Sequence, residues 1–178
     1  LKLLSESKTF KVIGCFDKNK DLKTKFSSEF SLYDNVSELI IKCDALFICS
    51  NTPSHFEMVK MCLENKKHVF VEKPLSMTAQ EGEDLVQIAK RQEKVLFVGH
   101  ILQYHSAVKT IKKMIQGGEL GKLQYIYSNR LNLGKIRREE NILWSFAPHD
   151  ISVILSLVGE EPVDVTATAT NILHPNIA

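Results

Sequence analysis

The sequence predicts an α/β protein with a parallel sheet, followed by the opening of an α+β domain with a mixed or antiparallel sheet. Through roughly the first hundred residues, short apolar runs rich in Val, Ile and Phe alternate with amphipathic stretches. Strands that alternate with helices imply right-handed βαβ units, which build a parallel sheet. After Gly99 this alternation ends. We therefore place a boundary near His100–Tyr104, which assigns residues 1–102 and 103–178 to the two parts.

Length, charge and cysteine usage narrow the functional classes. The chain has 178 residues, of which 44% are hydrophobic, enough for one domain or parts of two. A net charge of +2 without a basic stripe gives no support for a nucleic-acid partner, and no apolar run is long enough to cross a membrane. The four cysteines form no CxxC pair. We therefore expect a reduced, cytoplasmic protein without a metal site.

Each element follows from its own pattern. Four apolar runs have the length of strands buried on both faces, at Phe10–Phe16, Ala45–Cys49, His68–Val71 and Val95–Val98. Amphipathic periodicity and capping residues predict helices at Ser54–Lys66 and Thr78–Gln92. The second part predicts a helix at Ala107–Gln116 ended by Gly117-Gly118, a half-buried strand at Leu123–Leu131, a helix around Asp150–Leu157 and a strand at Val163–Thr170.

The pattern at both ends predicts that elements of the fold lie outside this sequence. A dinucleotide-binding sheet of the Rossmann type begins with a strand, a glycine-rich turn and a helix, and Leu1–Glu6 resembles only the tail of that helix. No G-x-G-x-x-G occurs in the chain. We expect the first strand and its turn upstream of Leu1, and we expect the chain by itself to be inactive.

Asp17 follows the first of the apolar runs. In a dinucleotide fold, an acid at this position accepts hydrogen bonds from the adenosine ribose hydroxyls. Its charge would repel a 2′-phosphate, which favours NAD, whereas the adjacent Lys18 keeps NADP open. The alternative is a surface aspartate that only opens a loop.

A polar segment follows the next strand and opens a helix. Free amides at a helix N-terminus suit an anionic or polar ligand. The alternative is that Thr52 or Ser54 only caps the helix, and His55 by itself is more typical of a partly exposed helix residue. The candidate cofactor contacts in this segment are Ser50, Asn51, Thr52, Pro53 and His55.

Glu72-Lys73-Pro74 comes directly after the strand His68–Val71. Ligands bind at the carboxyl ends of strands in open α/β sheets, so Glu72 and Lys73 are candidate cofactor contacts. A cation here can also orient a substrate hydroxyl and stabilise negative charge on its oxygen. The alternative is a Glu-Lys ion pair on a surface loop.

His149-Asp150 stands just before a predicted helix. Histidine is the usual general base near neutral pH, and Asp150 could orient its ring. The alternative is that Asp150 caps the helix and that the pair has no catalytic role.

Taken together, these motifs resemble the Gfo/Idh/MocA family, which includes glucose–fructose oxidoreductase and inositol dehydrogenase. The motifs that carry the resemblance are, in chain order, Asp17, Thr52–His55, Glu72–Pro74, Gly118–Gly121 and His149 before Leu157–Gly159.

The resemblance implies a Rossmann domain that binds NAD and a second domain whose sheet covers the substrate and forms a homo-oligomer interface. It assigns catalysis to Lys73 and His149. The family often has an aspartate four residues before that histidine, where this chain has Ser145.

The segment from Ser128 to Ser145 is similar to the branch of UDP-N-acetylglucosamine 3-dehydrogenases, which act on UDP-linked N-acetyl amino sugars in cell-surface glycan synthesis. Arg130 and Lys135 suit a diphosphate, and asparagines suit sugar hydroxyls or the acetamido group. For each residue the alternative is a solvated polar loop. The substrate-binding candidates are Tyr104, Arg130, Asn132, Asn141, Trp144 and His149.

The expected reaction is oxidation of the sugar C3 hydroxyl, in which His149 removes the proton and Lys73 positions the oxygen. Tyr104 and His105 are the next candidates for the base. The nearest alternative is a dehydrogenase of a free polyol or sugar such as inositol. An alternative of another class is a nucleotide-sensing or scaffolding protein that keeps the fold without turnover.

Overall fold

A computed structural model of the chain describes residues 2–19, 21, 30–131 and 141–170. Its centre is a parallel sheet of three strands in the order β1 (Ala45–Ile48), β2 (His68–Val71) and β3 (Leu96–Val98). The predicted α/β class with a parallel sheet is confirmed. These strands begin and end within one residue of their predicted bounds.

Helices precede, connect and follow the strands. The predicted helices at 54–66, 78–92 and 107–116 all form, with ends shifted by no more than two residues. Short 3₁₀ segments at Thr52–Ser54 and Ile101–Tyr104 follow β1 and β3. The described helices are α1 (Lys2–Ser5), α2 (Val36–Lys42), α3 (His55–Glu64), α4 (Ala79–Arg91), α5 (Ser106–Gln116), α6 (Ile142–Ser145) and α7 (Ala147–Val158).

The start of α4 shows how local sequence fixes an element. Thr78 Oγ1 accepts a hydrogen bond from Glu81 N, and a Glu81 carboxylate oxygen accepts one from Thr78 N, so the predicted capping box is present. The same register buries the predicted face of Leu85, Ile88 and Ala89. The capping box therefore fixes both the first residue of α4 and the face that it turns toward the core.

The core lies between one face of the sheet and the helices α3 and α4. Side chains that alternate along β1 and β2 meet those of the two helices, which matches the two-residue period of a strand. The most deeply buried members of this core are Ile40, Val59, Cys62, Leu63, Val69, Val71 and Leu85.

The opposite face of the sheet carries a row of aromatic rings. Phe47, Phe70 and Phe97 lie on successive strands and stack with centroid distances of 5.1 and 5.4 Å. Phe10 contacts one end of the row and Tyr104 the other. Phe47 is 41% exposed, so the prediction of strands buried on both faces is wrong for β1 in the part of the chain described here.

The predicted strand at residues 10–16 is also wrong. Cys15 forms a single parallel bridge with Leu32, through Cys15 N to Ser31 O and Tyr33 N to Cys15 O, both at 2.9 Å. A side chain at Gly14 would lie 2.5 Å from Ser31 O, which shows how closely the two segments approach. A strand requires continuous pairing, and among the described residues only this one bridge involves residues 10–16.

Two further predicted strands, at residues 123–131 and 163–170, do not form. Tyr125 and Leu131 are 83% and 84% exposed, and Val163 is fully exposed. The alternating pattern of these segments is real, but no neighbouring strand pairs with them among the described residues. Without a partner strand, the backbone N–H and C=O groups of an extended segment cannot form the hydrogen bonds of a sheet.

The last described helix begins earlier than predicted. α7 starts at Ala147 with Pro148 in its first turn, so His149 lies inside the helix and not before it. It ends at Val158 and is capped by Gly159, whose φ of +78° suits glycine. No helix in the described ranges is long and apolar enough to cross a membrane.

Candidate functional site

The three strands end side by side, and polar residues follow each of them. Glu72 N donates to Ile48 O over 2.9 Å and Gly99 N donates to Val71 O over 2.8 Å, so the pairing continues beyond β2 and β3. Lys73 and His100 therefore leave the sheet along one edge. The carboxyl edge of a parallel sheet is the usual place for a ligand.

Lys73 joins this edge to the second part of the chain. Its Nζ donates a hydrogen bond of 2.6 Å to Ser145 O. Ser145 is 4% exposed, so the bond lies away from bulk water. The Lys73–Pro74 peptide bond is cis. The family often has an aspartate at position 145. In this chain the residue is Ser145, and its backbone carbonyl oxygen is the acceptor for the Lys73 ammonium group.

His149 lies in the same electrostatic environment as Lys73. Burial lowers the pKa of His149, and the positive charges of Lys73 and Arg130 lower it further. Its Nδ1 is buried and has no hydrogen-bond partner among the described residues. A neutral imidazole can accept a proton, so this environment favours the form that a general base needs.

Asp150 neither orients the His149 ring nor caps α7. Its carboxylate accepts hydrogen bonds from Arg130 Nε and Nη2, and one from Ser128 Oγ over 3.2 Å. The Arg130 guanidinium holds the pKa of Asp150 below its usual value. Both predicted roles for Asp150 are therefore wrong. Its observed role is to hold Arg130 beside the start of α7.

His55 is a structural residue and not a partly exposed one. It is 1% exposed, with Nδ1 2.8 Å from Pro74 O and Nε2 3.0 Å from Ser50 O. The prediction of a partly exposed helix residue is wrong because His55 lies under the two loops that leave β1 and β2. It connects those loops through its two ring nitrogens.

The loop after β1 presents exposed polar groups. Ser50 and Asn51 are exposed, and the Ser54 hydroxyl lies 2.7 Å from Ser50 Oγ and 2.8 Å from Asn51 O. Ser54 makes no side-chain capping bond to α3. Pro53 is exposed, whereas Thr52 is buried. Capping by Ser54 is thus ruled out, and the hydroxyl organises the loop instead.

Asp17 opens a turn on the surface. Asn19 N donates to Asp17 Oδ1 over 2.7 Å, and the residue is exposed. The loop role and a cofactor role are compatible, since no bond of Asp17 Oδ2 is found among the described residues.

The residues predicted to bind the substrate lie in different surroundings. Asn141 Oδ1 accepts a hydrogen bond from Trp144 N over 3.1 Å and so begins α6. Tyr104 stacks at the end of the aromatic row, with Lys109 Nζ 5.4 Å from its ring centroid. Within this set, the charge of Arg130 acts on His149, on which the charge of Lys73 also acts. Asn132 and Lys135 lie outside the described residues.

Comparison with known proteins decides the family to which this fold and site belong. The family profile described as "Oxidoreductase family, NAD-binding Rossmann fold" matches residues 1–100, more than half of the chain. The chain belongs to the Gfo/Idh/MocA oxidoreductases. The resemblance, the Rossmann-type fold and the nicotinamide dinucleotide cofactor predicted from the sequence are thereby confirmed.

The Gfo/Idh/MocA relatives include dehydrogenases of different substrates. UDP-N-acetylglucosamine 3-dehydrogenase of Acidithiobacillus ferrooxidans is 29% identical over 157 residues, 86% of this chain and 49% of that protein. Myo-inositol 2-dehydrogenase of Thermotoga maritima is also 29% identical, over 90% of this chain and 50% of that protein. A solved structure of the first enzyme superposes with a TM-score of 0.79 at 27% identity, covering 90% of this chain and 51% of that one. The chain thus spans about half the length of these relatives.

The residues present fit the cofactor of a Gfo/Idh/MocA protein. Exposed polar groups of Ser50 and Asn51 line the edge where a dinucleotide binds in this fold. A Cβ at Gly99 would lie 3.3 Å from a Glu72 carboxylate oxygen, so glycine lets that carboxylate approach the backbone of the neighbouring strand. The edge therefore offers hydroxyl, amide and carboxylate groups for ribose hydroxyls and phosphates.

His100 is a member of the site that was not among the predicted residues. Burial lowers its pKa, and the charge of Lys73 lowers it further. The signal was present in the sequence, because His100 follows β3 by two residues just as Lys73 follows β2.

Proposed function

We propose that the full-length protein containing this chain is an NAD(P)-dependent dehydrogenase that oxidises a secondary hydroxyl of a sugar. The observation that carries this proposal is the shared environment of Lys73 and His149 at the carboxyl edge of the sheet. A neutral imidazole can accept the hydroxyl proton, and a cation beside it can stabilise the negative charge that develops on the oxygen.

The division of roles follows from the charges. His149 accepts the hydroxyl proton because burial and the nearby cations keep its ring neutral. Lys73 binds the same oxygen and stabilises the negative charge that develops as the O–H bond breaks. A bound dinucleotide would supply the acceptor for the hydride of the carbinol carbon, and the substrate would thereby lose two electrons and become a ketone.

We further propose C3 of a UDP-linked N-acetyl amino sugar as the position oxidised. The support is the likeness to UDP-N-acetylglucosamine 3-dehydrogenase and the position of Arg130. Asp150 engages two of the five N–H donors of a guanidinium, which orients the side chain and leaves others for a phosphate oxygen.

A free polyol is the second candidate substrate. Myo-inositol 2-dehydrogenase matches this chain at the same identity as the UDP-sugar enzyme. The two candidates differ in whether a diphosphate must be bound, and Arg130 is the described residue that would bind it.

The test is turnover by the full-length protein with NAD and each candidate. We expect a higher kcat/KM for UDP-N-acetylglucosamine than for myo-inositol, with Lys73→Met as the inactive control. A higher kcat/KM for myo-inositol would make the free polyol the preferred substrate and would still support a dehydrogenase. Absence of turnover and of calorimetric binding with both sugars would overturn the dehydrogenase and favour a non-catalytic nucleotide-binding protein.

A further inference from the structure

The ring nitrogens of His55 and His100 differ in the hydrogen-bond partners that the fold gives them. His55 has a backbone carbonyl oxygen within hydrogen-bond distance of each ring nitrogen, at 2.8 and 3.0 Å. The buried Nδ1 of His100, by contrast, has no partner among the described residues. A buried polar atom without a partner costs free energy and calls for an explanation. The first ring has a structural function, and the second has a nitrogen that the described fold does not use.

The backbone around His100 is held firmly, so its position is not accidental. Gly99 N donates to Val71 O, His100 N donates to Val98 O over 2.8 Å, and Gln103 N donates to His100 O over 3.0 Å. These bonds fix His100 at the end of β3, beside the strand that delivers Lys73. The side chain therefore has a defined starting point at the carboxyl edge.

His100 and His149 share two properties. Each has a buried Nδ1 without a partner in the described part of the chain. Each also has a pKa lowered first by burial and then by Lys73, and His100 is among the groups that lower the pKa of His149. Two neutral imidazoles thus lie close to one ammonium group.

We propose that His100 is a second substrate-binding imidazole, which binds the substrate oxygen next to the one bound by His149 and Lys73. This inference rests on the proposed dehydrogenase function. A neutral imidazole donates one hydrogen bond and accepts one, so it matches a hydroxyl or an acetamido group. The site then selects a ring with two adjacent oxygen- or nitrogen-bearing carbons over a simple secondary alcohol.

The test compares His100→Phe with His100→Asn in the full-length protein. Phenylalanine keeps the size of the ring without its polar atoms, whereas asparagine keeps a donor and an acceptor near Nδ1. We expect His100→Phe to raise KM for the sugar by about tenfold or more, a loss of the size of one hydrogen bond to a buried group. His100→Asn should recover most of that loss, and the Kd for NADH should stay the same in both variants.

The matched control is His68→Asn, at the opposite end of β2, where Nδ1 accepts a hydrogen bond from Val95 N. It should leave KM unchanged. If the wild type is active and His100→Phe has the same KM, the role of His100 is overturned, whereas the proposed dehydrogenase function stands. Weaker NADH binding with an unchanged KM for the sugar would assign His100 to the cofactor and also overturn it. A wild type that neither binds nor oxidises UDP-N-acetylglucosamine or myo-inositol would overturn the proposed function and this inference with it.

Discussion

The two cationic side chains at the site are held in different ways. Lys73, at the edge of the sheet, donates to the neutral carbonyl oxygen of the buried Ser145. Arg130, on the segment before α7, is paired with the carboxylate of Asp150. Lys73 lowers the pKa of both His100 and His149, whereas Arg130 lowers only that of His149.

The difference indicates a division of labour. A carbonyl oxygen orients the Lys73 ammonium group by a hydrogen bond, and the charge of Lys73 lowers the pKa of both neighbouring imidazoles. The Asp150 carboxylate fixes the plane of the Arg130 guanidinium and leaves other N–H groups to donate to a phosphate oxygen. We therefore assign Lys73 to the chemistry and Arg130 to substrate binding.

The largest expected effect is that of removing the Lys73 charge. Lys73→Ala should lower kcat at least as much as loss of a general base, about 10²–10⁴-fold. Lys73→Arg should not restore activity, because a planar guanidinium directs its donors differently. Steady-state kinetics of the full-length protein measure this, with the exposed Lys90→Ala as the control that should retain kcat. A kcat for Lys73→Ala within the error of the control would contradict the assignment.

The next largest effect is expected for removal of the proposed base, His149, alone and together with Lys73. His149→Ala should lower kcat by about 10²–10⁴-fold while the Kd for NADH stays the same, since His149 lies outside the matched Rossmann region. Because both groups act on one hydroxyl, the double variant should lose much less than the product of the single losses. Losses that multiply independently would show that the two residues act on different steps.

A smaller effect is expected for Arg130→Ala, which should change KM, whereas Lys73→Ala should change kcat. Arg130→Ala should raise KM for UDP-N-acetylglucosamine by about tenfold, the cost of one charged hydrogen bond, and leave kcat nearly unchanged. The KM for myo-inositol should not change, because inositol carries no phosphate. An equal rise for both substrates would mean that Arg130 supports the fold of the site and does not bind a diphosphate.

The smallest effect should be that of Ser145→Ala. The acceptor of the Lys73 bond is the backbone carbonyl, which the substitution keeps. We expect kcat to fall far less than in Lys73→Ala, with any loss coming from the other contacts of the serine side chain. A loss equal to that of Lys73→Ala would show that the hydroxyl, and not the carbonyl, controls the lysine.

The fold is predictable from sequence where both partners of an interaction lie within the described residues. β2 is predicted to the residue because it pairs with β1 and β3 and carries side chains buried under α3 and α4. Residues 123–131 and 163–170 have the alternation of strands, but alternation does not supply the backbone partner that a strand requires.

The site is predictable to the extent that strand ends and family motifs mark it. Lys73 acts electrostatically on His149, and the catalytic roles of the two residues are a proposal. The burial of His55 and the Arg130–Asp150 pair depend on partners 19 and 20 residues away, which no local pattern reveals. His100 could have been found, because it follows a predicted strand at the same edge.

The most direct test of the account is the pKa of His149, measured by NMR titration of the full-length protein with isotope-labelled histidine. The measurement needs no activity, so it also applies to Lys73→Ala. We predict a pKa below the usual histidine value in the wild type, a rise in Lys73→Ala because the imidazolium no longer faces that cation, and a smaller rise in Arg130→Ala. A His149 pKa that is unchanged in Lys73→Ala would contradict the claim that the two groups form one centre.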